Sequence, residues 1–120
     1  MSERNTTRLV IGDRESVLRE TRQHGGAFID PHPEALRTLH ASGIDPYIIY
    51  ERALVQQMEK KISRIDFVPG NVDELFEQWK SKPEAQIPVH VRLILWLKNN
   101  AKTHGYEQSG DSWSLKPPFP

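Results

Sequence analysis

The chain has 120 residues, the length of one domain, and its 16 Lys+Arg balance 16 Asp+Glu to a formal net charge of zero. That balance excludes a global basic field that would gather nucleic acid, so any such binding has to be local. With no cysteine in the chain, a disulfide framework, a thiol nucleophile and cysteine-rich zinc sites are excluded as well, and a cytoplasmic protein is expected.

Residues 1–8 are polar and mixed in charge, without the apolar run of a secretory signal, and read as a flexible tail. A single domain follows at 9–116, divided into an N-terminal subregion at 9–44 and a helical core plus hairpin at 45–116, with a Pro-rich tail at 117–120. In the first subregion Leu9-Val10-Ile11 reads as a short strand, Asp13 as the cap of a helix near 14–23, and Ala27-Phe28-Ile29 as a second extended piece. Pro33 opens a helix near 33–41, which Gly43 ends.

Asp45-Pro46 opens the strongest helical pattern, near 46–64, in which Tyr47, Leu54, Val55, Met58, Ile62 and Ile65 recur at three- and four-residue steps. Asn71 reads as the cap of a helix near 72–80, and Pro88 as the start of another near 88–104 that is apolar around most of its circumference. Its most apolar stretch, 89–97, is about half the roughly 20 residues needed to span a bilayer and contains Arg92, so no membrane association is expected. Gly110, between segments carrying Tyr106 and Trp113, predicts a hairpin near 106–115. The predicted core is Leu54, Val55, Met58, Ile62, Leu75, Phe76, Trp79, Leu93, Trp96 and Leu97. The fold class expected is a small single α+β domain, predominantly α-helical. Its last three helices and C-terminal hairpin stand in an order that resembles a winged helix.

No phosphate-binding Gly-rich loop, nucleophile elbow or His-Glu-x-x-His motif occurs in the sequence, and the expectation is a protein that is no enzyme and carries no cofactor or metal. Asp30, His32 and His40 are the nearest approach to a ligand set, but their spacing matches no template and capping of the helix at Pro33 accounts for the first two. Glu51 falls on the apolar side of its helix, near the N-terminus, where a negative charge is favoured.

Two binding surfaces are predicted. Between Pro88 and His104 the charged residues are Arg92, Lys98 and Lys102 without an acid, a local charge of +3, and Asn99 and Thr103 lie beside them. Together with Lys116 after the hairpin, these would contact the phosphates and base edges of DNA or RNA. Tyr50, Trp113 and Phe119 belong to a surplus of aromatics for one small core and would form a protein interface. The first expectation is therefore a small regulatory or assembly protein that binds nucleic acid through its C-terminal half. The alternative is an adaptor, inhibitor, subunit of a larger complex or homo-oligomer with no nucleic-acid contact.

Overall fold

Leu9, Val10 and Ile11 form an uninterrupted apolar run, the pattern of a strand covered on both faces. The computed structural model, which describes residues 8–29 and 32–116, places that run in β1 (Arg8–Gly12) with all three side chains buried. β1 lies between two parallel neighbours, β2 (Ala27–Phe28) and β3 (Arg64–Val68). α1 (Arg14–His24) carries the chain from β1 to β2. Asp13 caps its first turn by accepting from the Ser16 N–H at 3.1 Å, and the Gly25 N–H closes its last turn on the Thr21 carbonyl. α2 (Pro33–Ala41) and α3 (Pro46–Glu59), each opened by a proline, then lead across to β3.

α4 (Val72–Trp79) and α5 (Val89–Asn100) follow, and the last turn of α5 tightens into a 3-10 turn at Ala101–His104 before Gly105. A hairpin of β4 (Tyr106–Ser109) and β5 (Ser112–Leu115) completes, among the described residues, a five-stranded mixed sheet in the order β2-β1-β3-β5-β4. The register gives the sheet two unlike faces. On one, Leu9, Ile11, Ile65, Phe67, Tyr106 and Trp113 join Leu54 and Met58 of α3 and Leu93, Ile94 and Leu97 of α5 in the main core. On the other, beneath α1, lie Arg8, Val10, Asp66 and Ser112.

Asp66 is a buried carboxylate at the centre of that second face. It accepts from the Arg8 Nε at 2.5 Å, from the Arg64 Nε at 2.6 Å and from the Ser112 hydroxyl. Arg8 continues the network to Glu20 of α1 at 2.7 Å and to the Gly25 carbonyl at 3.1 Å. One polar knot thus joins β1, β3, β5, α1 and the turn after it. Burial raises the pKa of Asp66, but the hydrogen bonds from Ser112, Arg8 and Arg64 outweigh it and hold the carboxyl below its ordinary value.

Several sequence expectations change here. Arg8, assigned to the tail, is the first residue of β1 and the hub of the knot, while residues 1–7 and 117–120 lie outside the described residues. The helix expected at 46–64 ends at Glu59. Ile62 and Ile65 match its stripe by spacing alone; the chain reverses at Lys61, which has φ +64°, and Ile65 pairs with Leu9 in β3. Asn71 makes no side-chain cap, since it stands in the left-handed region at φ +70° rather than in the extended conformation of a capping residue; the hairpin residue Asp111 accepts from the Val72 N–H at 2.9 Å. Of the predicted core, Leu54, Met58, Ile62, Leu93 and Leu97 are buried, whereas Val55, Leu75, Phe76, Trp79 and Trp96 are only half-buried. The three helices and the hairpin are present in the expected order, with β3 between α3 and α4 and β5 paired antiparallel with β3, so that the hairpin forms the margin of the sheet.

Gly12, at φ +148°, lets the ends of β1 and β3 meet, since a Cβ there would stand 1.9 Å from the Val68 carbonyl oxygen. Because the obstacle is backbone, Gly12→Ala is expected to lower unfolding free energy by more than about 1 kcal/mol in urea titration. A smaller loss would show that the two strand ends separate freely.

Candidate interaction surface

α5 presents its cations to neighbouring elements. The Arg92 guanidinium lies over the Tyr47 ring, 4.1 Å from its centroid, and donates to both oxygens of Asp45 at 3.1 and 3.0 Å, which leaves its side chain 12% exposed. Asp45 also accepts from the Tyr47 N–H at the start of α3, and the hydrogen bond from Arg92 holds its pKa below the usual carboxylate value. Lys98 donates to Asp73 and lies 5.3 Å from the centre of the Phe76 ring. Asp73 is held below its ordinary pKa by that bond and by a second from Gln108. Two of the three charges counted on this helix are therefore neutralised by carboxylates on other elements.

The remaining polar candidates divide. Asn99 donates to the Leu95 carbonyl of its own helix at 2.9 Å, and Thr103 is exposed in the 3-10 turn. Lys102 and Lys116 are exposed, and with Lys98 they line one cleft of about 210 Å³ that also holds Glu107 and Gln108. The structure thus brings three of the six predicted residues together and places Arg92 elsewhere, over Tyr47.

The aromatic interface does not form as expected. Trp113 is 1% exposed and Tyr50 is also buried; both belong to the core, where large rings fill the space between sheet and helices. Phe119 lies outside the described residues. Among the described residues, the exposed large apolar side chains are instead Phe28 and three isoleucines, Ile44, Ile48 and Ile49, at 45%, 52% and 47%. A sequence signal for them exists: between Ile44 and Tyr50 the chain is more apolar than one helix face can bury, and Ile48 and Ile49 fall off the buried stripe of Tyr47, Tyr50, Leu54 and Met58.

Ile44, with Pro46, Ile87 and Val89, lines an open groove of about 780 Å³ between the α2–α3 turn and the start of α5, while Ile48 borders a separate hollow along α3 with Glu51 and Arg52. At Glu84, Ile87 and Arg92 the groove meets a smaller cleft of about 220 Å³ that contains Glu51 and Trp96. Glu51 is half-buried near the Tyr47 hydroxyl, which donates to the Arg92 carbonyl at 3.5 Å; burial, and then the nearby Glu51 carboxylate, push the Tyr47 pKa far up.

The histidines carry no shared site. His32 caps α2, its Nδ1 accepting from the Glu34 N–H at 3.2 Å, His40 is exposed, and Asp30 lies outside the described residues. Among the described residues, no group of three or more His, Cys, Asp or Glu is placed to hold a metal, and no helix is long and apolar enough to cross a membrane. No protein-family model, curated protein or solved structure matches this chain.

His90, at the start of α5, stacks on Phe67 with ring centres 6.3 Å apart. Burial pushes its pKa below the ordinary histidine value, and the nearby charge of Asp13 opposes this without cancelling it. Below about pH 6.5 the unfolded chain takes up a proton at this position that the folded chain resists, so stability is lost as pH falls from there through the lower folded value. Urea titrations at pH 7 and pH 5 should show a smaller loss for His90→Leu than for the unsubstituted chain. Equal losses would remove His90 as the source.

Proposed function

We propose that this protein acts by binding another protein, as a small regulatory or assembly component without catalytic activity, through the surface formed by Ile44, Ile48, Ile49 and the adjoining groove. The observation that carries the reading is the exposure of three isoleucines, each 45–52% open to solvent, at one end of α3. Burying an Ile side chain is worth about 1.5–3 kcal/mol, and large apolar side chains left open close to a groove of mixed polarity are the usual mark of a partner surface. The groove also has a fixed polar feature, the Asp45–Arg92 pair, which gives a partner an orientation as well as an area.

A second reading, nucleic-acid binding by residues 88–116 in the manner of a winged helix, is favoured by the convergence of Lys98, Lys102 and Lys116 on one cleft. It ranks below the first because Arg92 and Lys98 already have carboxylate partners and Glu107 shares the rim.

Affinity capture from an extract of the source cells, with the full chain and an Ile48→Asp/Ile49→Asp variant as paired baits, tests the order. A partner retained by the first and lost from the second is expected, with unfolding free energy changed by less than about 0.5 kcal/mol, as for exposed positions generally. Identical captures would contradict the surface assigned. For duplex DNA, the exposed pair Lys102 and Lys116 supports a log–log salt slope no steeper than about −2. A slope near −4 with submicromolar binding would put the nucleic-acid reading first.

A further inference from the structure

The charges around the groove are unequal, and this points to the chemistry of the occupant. Arg92 is the cation at the junction of groove and cleft, and both of its terminal nitrogens are engaged by Asp45. Glu84, whose side chain is 84% exposed, approaches Arg92 only to 3.7 Å, and Glu51 faces the same cleft with the Tyr47 phenol as its neighbour. Once Arg92 is matched with Asp45, the carboxylates of Glu84 and Glu51 remain on the walls of one cleft, which Trp96 also lines. An aromatic face beside carboxylates is a favourable setting for an ammonium or guanidinium group.

We infer that the partner segment is apolar and basic: hydrophobic side chains cover Ile44, Ile48 and Ile49, and a Lys or Arg enters the cleft between Glu51 and Glu84. The inference rests on the protein-binding reading and adds the partner's chemistry to it. The cleft's volume of about 220 Å³ lies below the roughly 300–1,000 Å³ of small-molecule pockets and suits one long side chain. A second copy of this chain fits poorly. In a two-fold contact the same patch meets itself, which would gather Glu51 and Glu84 of both copies into one interface.

A random linear peptide library displayed on phage, selected against the full-length protein, is the probe. Selected peptides should combine Leu, Ile or Phe with Lys or Arg, bind more weakly as salt is raised, and lose roughly tenfold in affinity to Glu51→Gln/Glu84→Gln. Glu84→Gln alone, at an exposed position, should give part of that loss with an unchanged melting temperature. Binding to Ile48→Asp should be abolished. Peptides that are neutral or acidic, or that ignore the glutamate substitutions while still requiring Ile48, would overturn the inference and leave the docking surface standing. Failure to select any peptide sensitive to Ile48→Asp, or a concentration-dependent dimer that this substitution dissolves, would overturn the protein-partner reading and the inference together.

Discussion

A carboxylate taken out of water needs donors, and Asp66 has three: two guanidinium groups and a hydroxyl supplied by β1, β3 and β5. A slip of one residue in either pairing would turn Arg8 or Ser112 to the opposite face and away from Asp66. The apolar face of the sheet favours burial without strongly distinguishing neighbours, whereas an unpaired buried charge is costly. The knot therefore specifies the arrangement that hydrophobic burial stabilises. Through Glu20 and the Gly25 carbonyl it also fixes α1 and the turn that follows it.

With the sheet so fixed, the other face is free to take α3 and α5, and their packing decides what remains outside. Tyr47, Tyr50, Leu54 and Met58 spend the buried stripe of α3 on the core. Ile48 and Ile49 lie off that stripe, and Ile44 belongs to the preceding turn, so none can reach the core without unwinding the helix start that Asp45 and Pro46 define. The Asp45–Arg92 pair joins that helix start to α5, and Arg92 forms with Glu84 and Ile87 the wall shared by groove and cleft. Local packing thus accounts for a surface that is apolar along one side and acidic at its junction.

Features with local causes were legible in the sequence. The caps at Asp13 and Asp45, the prolines opening α2 and α3, the hairpin and the apolar run of β1 all follow from residues within a few positions of one another. What was not legible depends on distant partners. Ile62 and Ile65 continue a helical spacing and become a turn and a strand only because β1 offers its hydrogen-bonding edge. Arg92 and Lys98 count as free cations along α5, yet Asp45 lies 47 residues away in sequence and Asp73 lies 25 away. Tyr50 and Trp113, expected at an interface, lie in the core for a related reason, since the space between sheet and helices takes rings that a core read from the helices alone left outside. The isoleucine cluster was in plain view as an excess of apolar residues around α3's first turn, and reading it required asking which residues the helix could not bury.

The dependence of the fold on the Asp66 knot is measured most directly by a double-mutant cycle. Arg8→Met, Asp66→Asn and the double variant would be compared with the unsubstituted chain by urea denaturation at neutral pH. A coupling energy above about 0.5 kcal/mol is expected, as for residues in one buried charged network. Additivity within that limit would contradict the role given to the knot and would mean that the apolar face alone sets the sheet.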